Sequence, residues 1–118
     1  ATELDFPVVI GEFHFGAPEG GLAATLRQTR DQRERGAAYR YYVGNEAAHP
    51  ALIGTHWFAW ADQPATGRFD GENYNIGLVD VTDRPYDDLI DAMRETHRGL
   101  CAVHAGEAEP TDVQAVRC

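Results

Sequence analysis

Two short stretches of the chain are apolar almost without interruption, and they set its plan. Residues 7–15 read PVVIGEFHF, β-branched and aromatic, with Gly16, Pro18, Gly20 and Gly21 following. This pattern predicts a strand feeding a loop. Because side chains alternate along a strand, Val8, Ile10, Glu12 and His14 share one face and Val9, Gly11, Phe13 and Phe15 the other. Both sets are largely apolar, as in a parallel strand covered on both sides. Residues 51–60, ALIGTHWFAW, predict a second strand of the same kind. Between the strands, Ala37, Ala38, Tyr41, Tyr42 and Ala48 recur near helical spacing, which predicts a helix from Asp31 to about Ala48. Thr29-Arg30-Asp31-Gln32 fits a capping box at its start, and His49-Pro50 ends it because proline disfavours helix in the residue before it. After the second strand comes a long loop, Asp62-Gln63-Pro64 followed by TGRFDGENYNIG, and then a short extended piece over Leu78–Val81. Asp83 and Pro85 mark a second helix start, and Tyr86, Leu89, Ile90, Met93, His97 and Leu100 give that helix one packing face.

The order strand, helix, strand, loop, helix is an α/β layout whose strands run parallel, because a helix lies between them. No internal repeat is present. Two strands do not make a parallel sheet covered on both faces, and a complete (β/α)8 barrel needs about 250 residues. With 118 residues, the chain reads as the last quarter to half of such a barrel, incomplete on its own. Residues 1–104 supply the βα units, and residues 105–118 form a loose acidic tail without periodicity.

Charge narrows the partners. Ten Lys+Arg against nineteen Asp+Glu leave a net charge of −9, which speaks against a surface that tracks phosphates and against a basic membrane patch. No nucleic acid and no membrane are expected as partners. An apolar share of 43 % is too high for a disordered chain, so a folded core is expected. No apolar run approaches a membrane span, and the N-terminus carries no signal-peptide pattern. The chain begins at Ala1 and its one Met is Met93, which suggests that an upstream portion precedes it. Cys101 and Cys118 stand at no metal-like spacing and are read as incidental.

Working residues in such folds gather where strands end and loops begin. The first strand closes on Glu12-Phe13-His14, a carboxylate and an imidazole at the end of an apolar run. Glu12 is either a working carboxylate or one half of an ion pair with a distant Arg; pattern alone leaves both open. The second strand closes on His56-Trp57-Phe58-Ala59-Trp60. Flat apolar rings beside hydrogen-bonding groups suit a sugar, whose C–H faces stack on indole while its hydroxyls seek polar side chains. The loop offers Asp62, Gln63, Arg68, Asp70, Glu72, Asn73 and Asn75, although Gly67, Gly71 and Gly77 show that some of these serve tight turns. One of the two Trp residues is expected in the core. His14 and His56 either orient Glu12 and bind sugar hydroxyls or are satisfied by backbone carbonyls. Together with Glu12 they also raise a metal site, but no further ligand follows at a recognisable spacing.

At this point GEFHFG, the DQ and AAY of the first helix, HWFAWADQP and TGRFDGENYNIGLVDVTDRPY resemble, in one order, the C-terminal part of β-agarases of the family-50 type and related clan-A glycoside hydrolases. The resemblance covers Phe6 to about Leu100, is densest at the two strand ends and the long loop, and stops before the acidic tail. It implies a (β/α)8 TIM barrel in which the two strands are the seventh and eighth. It implies a retaining β-glycosidase acting on a galactan such as agarose, with Glu12 as nucleophile and the acid/base Glu on strand four, outside this chain. Trp60 is similar to the residue on which such enzymes stack the sugar at the cleavage subsite, with Trp57 as a second candidate. His14, His56, Asp62, Gln63, Arg68, Glu72 and Asn73 complete the expected substrate-binding set. The implied partners are a galactan polysaccharide or oligosaccharide and the missing N-terminal part of the barrel, with no cofactor or metal. A secreted or periplasmic location is expected from the same resemblance. The rival readings are a non-catalytic sugar-binding module using Trp57 and Trp60, and a metal protein built on Glu12, His14 and His56.

Overall fold

The computed structural model describes residues 5–111. It contains strand β1 (Val8–Phe13), helix α1 (Gln32–Ala47), strand β2 (Leu52–Trp57) and helix α2 (Asp87–His104), in that order. The strands form a two-stranded parallel sheet. The described residues are thus an α/β unit of one sheet and two helices, not a closed barrel.

The strict alternation expected for β1 is broken. Pairing runs Val8↔Leu52, Val9↔Gly54, Ile10↔Thr55 and Phe13↔Trp57, with register shifts between Val8 and Val9 and between Ile10 and Phe13. The second shift brackets Gly11, where the missing side chain lets a strand bulge. Both strands are also shorter than the apolar runs, ending at Phe13 and Trp57. Beyond β2 the Phe58–Ala59 peptide is cis. Coverage on both sides is not met either, since Val9 and Ile53 stay exposed at 47 % and 64 %. The reason is that the two helices pack on each other and leave part of the sheet bare.

Helix α1 starts one cap later than the sequence suggested. Asp31, not Thr29, is its N-cap, accepting a hydrogen bond from the Glu34 backbone N–H at 2.8 Å. Thr29 instead donates its hydroxyl to the Gly16 carbonyl at 3.2 Å, which closes the loop after β1. The buried face of α1 also differs from the expected one. It carries Arg35, Gly36, Ala38, Tyr39 and Val43, while Ala48 is exposed. A charged residue and a glycine on the inner face shift the apolar periodicity away from the true packing stripe. Helix α2 follows its predicted face, with Leu89 and Met93 buried. It begins at Asp87, because Asp80 accepts from the Thr82 and Arg84 backbone N–H groups and holds the preceding residues in a turn, with Asp83 at φ 65°.

The core is Tyr39, Val43, Leu89 and Met93, flanked by Phe13, Tyr42, Trp57 and Leu78. Aromatic rings dominate it: Phe13 stacks on Tyr42 at 4.6 Å between centroids and meets Trp57 edge-on at 5.4 Å. Of the acidic segment expected to be loose, residues 105–111 turn back to α1, where Asn45 donates to the Thr111 carbonyl at 2.9 Å. Residues 112–118, including Cys118, lie outside the described residues, and Cys101 is an exposed free thiol. No helix among the described residues is long and apolar enough to cross a membrane.

The helices touch most closely at Gly36, where an added Cβ would lie 2.6 Å from the Ala92 Cβ and 3.1 Å from the Asp88 carbonyl oxygen. Gly36→Ala is therefore expected to destabilise the protein by about 1–3 kcal/mol through overpacking. Adding Ala92→Gly should recover part of that loss in urea denaturation, and strictly additive losses would show that the helices do not meet there.

Candidate functional site

The parallel pairing brings the carboxyl ends of both strands to one edge of the unit, where the Phe58 N–H donates to the Phe13 carbonyl at 3.0 Å. Glu12 is the last residue but one of β1 and is exposed. His14 follows half-buried, its ring 6.4 Å from that of Phe58. Its Nδ1 is enclosed with no hydrogen-bond partner among the described residues. Burial pulls the His14 imidazole below its ordinary 6.5, and the charges of Glu12 and Glu72 oppose that pull only in part. At pH 7 His14 is thus a neutral imidazole beside a carboxylate. His56 is exposed on β2. Trp60, at 67 % exposure, holds the Leu78 N–H with its carbonyl at 2.8 Å while its indole faces solvent.

Trp57 occupies a different place. Its Nε1–H is shared between the carbonyls of Ile76 at 2.8 Å and Ala59 at 3.1 Å, and its ring packs against Phe13 and Tyr39. Of the two indoles, this one belongs to the core.

The long loop is fastened from beneath by buried polar groups. Asp62 Oδ1 accepts from the Asn75 side-chain amide at 2.9 Å and from the Gly77 N–H at 2.8 Å, and Oδ2 accepts from the Tyr86 hydroxyl. Asn75 accepts in turn from the Ala17 N–H at 3.2 Å and from Gln32 at 2.9 Å, tying this loop to the one after β1. Arg35 lies under both loops at 0 % exposure. It donates to the carbonyls of Phe15 and Gly77, each at 2.9 Å, and to Gln32 Oε1 at 2.6 Å. Burial brings the guanidinium down to about 10 while Asp62 and Tyr86 hold it up, so it stays charged at neutral pH. Its Cζ lies over the Trp57 and Tyr86 rings, 5.7 and 5.4 Å from their centroids. Gly77 is required here, since a Cβ would come within 2.3 Å of the Asp62 nitrogen.

Further out, Gln63 clamps the loop. Its Oε1 accepts from the Tyr74 N–H at 2.8 Å and its Nε2 donates to Glu72 at 2.9 Å. Arg68 grips Asp70 through its Nε at 2.8 Å and NH2 at 2.6 Å, and reaches Glu72 at 3.0 Å. Asn73 gives its backbone carbonyl to the Ala23 N–H at 3.1 Å.

Two groups therefore emerge from the residues singled out in the sequence. Glu12, His14, Arg68 and Glu72 share one electrostatic neighbourhood at the strand ends, since Glu12 and Glu72 both act on His14 and both act on Arg68. Asp62, Gln63 and Trp57 sit beneath them with their polar atoms engaged inside the protein. Glu12, His14 and His56 do not converge as metal ligands, and no group of three such residues does so among the described residues. Sequence reasoning missed Arg35 and Tyr86. Arg35 stands four residues before Tyr39 and eight before Val43, on the buried stripe of α1, and that spacing was the available signal.

No family model matches the sequence. Among curated proteins, it is 44 % identical over 101 residues to beta-agarase B of Vibrio sp. (strain JT0107) and 43 % identical over 99 residues to beta-agarase A of the same organism. These alignments take in 84 % and 82 % of this chain but 11 % and 10 % of those proteins. Among solved structures, an exo-beta-agarase superposes with a TM-score of 0.79 at 42 % identity, over 83 % of this chain and 14 % of that one. The crystal structure of an agarase, AgWH50C, gives 0.74 at 41 % identity, over 86 % and 16 %. The chain is thus homologous to a region of beta-agarases and spans about a tenth of the length of the curated relatives it matches.

The neutral His14 gives this site a pH signature. Because folding holds its pKa below 6.5, the unfolded chain binds the proton more readily, so this group lowers stability progressively as pH falls below that value. His14→Asn should therefore lose less melting temperature than the parent between about pH 7.5 and about pH 5. Equal losses in both proteins would show that His14 is not desolvated in the folded state.

Proposed function

We propose that this chain is the C-terminal part of the catalytic barrel of a glycoside hydrolase of the beta-agarase type, acting on a galactan such as agarose. In this reading β1 and β2 are the seventh and eighth strands of a (β/α)8 barrel, and Glu12 is the nucleophile of a retaining mechanism. The observation that carries it is the position of Glu12: an exposed carboxylate at the carboxyl end of a parallel strand, in a chain homologous to beta-agarases over most of its length. Working groups of barrels gather at that end.

The chemistry follows from two carboxyl groups about 5–5.5 Å apart. Glu12 attacks the anomeric carbon as the glycosidic bond breaks, and a covalent glycosyl ester forms. The second carboxyl group, supplied by the part of the barrel outside this chain, protonates the departing sugar oxygen and then deprotonates the water that hydrolyses the ester. His14, neutral and adjacent, offers a hydrogen-bonding edge without adding a second charge. Trp60 presents its indole face to the sugar, with His56, Arg68, Glu72 and Asn73 around the entrance. Asp62, Gln63 and Trp57 serve this site from below by fixing the loop, because their polar atoms are already engaged.

In the longer protein that carries this region, Glu12→Gln is expected to lower kcat by roughly 10⁴-fold, as loss of a covalent nucleophile does, while oligosaccharide binding persists. Trp60→Ala should instead cost about 1–2 kcal/mol of substrate binding and act chiefly on KM. Steady-state kinetics on agaro-oligosaccharides read both. Near-normal turnover by the Gln variant would remove Glu12 from the nucleophile role.

A further inference from the structure

The most exposed large apolar side chain among the described residues is Phe69, at 97 %. A ring left this open on a floppy loop would need no explanation. Phe69 instead stands at the tip of a turn that is held at every level. At its base, Gln63 and Tyr74 exchange backbone and side-chain hydrogen bonds. In the middle, the Arg68 N–H donates to the Glu72 carbonyl at 2.9 Å, and the Gly71 N–H donates to the Arg68 carbonyl at 2.8 Å. Gly67 and Gly71, both at φ 86°, supply the left-handed conformations that the turn needs. The Arg68 guanidinium, fixed by Asp70 and Glu72, lies 5.4 Å from the Phe69 ring centroid. The clamped backbone sets where Phe69 stands, and the guanidinium lies within cation–π range of its ring.

That turn lies beside the strand ends. It belongs to the loop that leaves the carboxyl end of β2, closed at its far end where the Leu78 N–H donates to the Trp60 carbonyl at 2.8 Å. Trp60, the other large aromatic side chain left open in this part of the chain, is 67 % exposed after β2. An exposed ring on a clamped turn, next to carboxylates and a guanidinium, has the chemistry of a pyranose platform. Sugar C–H groups stack on the ring while hydroxyls find the charged groups around it.

We propose that Phe69 is a second stacking platform for the galactan chain, binding a sugar unit beyond the one at which Glu12 acts and so favouring longer substrates. This rests on the glycosidase reading above and adds a subsite to it. A platform of this kind acts on affinity and on chain-length preference, not on the bond-breaking step.

The test uses the longer protein carrying this region, with agaro-oligosaccharides of increasing length. Binding is measured by calorimetry in the Glu12→Gln background, and kcat/KM in the active protein. Phe69→Ala should weaken binding of long oligosaccharides by about five- to tenfold, and should lower the ratio of kcat/KM for long over short substrates by a similar factor. Phe69→Trp should restore both. Unchanged binding at every length, with cleavage intact, would overturn the platform and leave the assignment of Glu12 standing. A fall in melting temperature or a change in oligomeric state on Phe69→Ala, with unchanged length preference, would overturn it in favour of a protein contact. No oligosaccharide binding and no cleavage by the parent protein would overturn the glycosidase reading itself, and the platform with it.

Discussion

A guanidinium shut away from water must spend its N–H groups on protein oxygens, and wherever those oxygens lie the backbone is held. Arg35 does this at the junction of the whole unit. Its three hydrogen bonds reach the carbonyl of Phe15 just past β1, the Gln32 amide in the first turn of α1 and the carbonyl of Gly77 in the long loop. Removing one partner of a buried, hydrogen-bonded charge costs about 3–5 kcal/mol, because the other is left uncompensated. Asp62 supplies the opposite charge nearby and carries the same logic into the loop, where three donors converge on its two oxygens. The loops at the strand ends are therefore held by a polar core as definite as the aromatic one beneath it.

This division of labour explains the arrangement at the strand ends. The polar core lets Trp60 stay open to solvent, because the backbone around it is fixed by Leu78, Asp62 and Gly77 and not by packing of its own indole. It lets Glu12 stay unburied at the end of a strand whose neighbours fill the core. Phe13, one position from Glu12, and Trp57, three positions before Trp60, do the packing. In the proposed enzyme, a rigid base of this kind is what holds a nucleophile and a stacking ring in register for one sugar.

The large features were legible in the sequence because each had a local cause. Apolar runs at 7–15 and 51–60 gave two strands, the helix between them required parallel pairing, and the periodicity of Leu89, Ile90 and Met93 gave the packing face of α2. The misreadings came where tertiary contacts overrode local signals. Thr29 has the chemistry of a cap, but its hydroxyl found the Gly16 carbonyl across the loop, and Asp31 took the cap. The inner face of α1 was misplaced because a buried Arg and a glycine chosen for helix contact do not look apolar. For Asp62 and Gln63, polar residues in a polar loop expected to bind sugar, the fold adds what the sequence did not show: hydrogen bonds to Asn75, Gly77 and Tyr86 for the one and to Tyr74 and Glu72 for the other. Glu12 and Trp60 stood out in the sequence as a carboxylate closing an apolar run and an indole just before a polar loop, and the structure leaves both exposed at the strand ends.

The central claim is that Glu12 forms a covalent bond to the sugar. The most direct measurement is to incubate the longer protein carrying this region with an activated 2-deoxy-2-fluoro galactoside, whose fluorine slows hydrolysis of the glycosyl ester, and to locate the adduct by peptide mass spectrometry. The account predicts one added fluorosugar per protein, on the peptide that contains Glu12. An active enzyme that carries the label on a different carboxylate would contradict it.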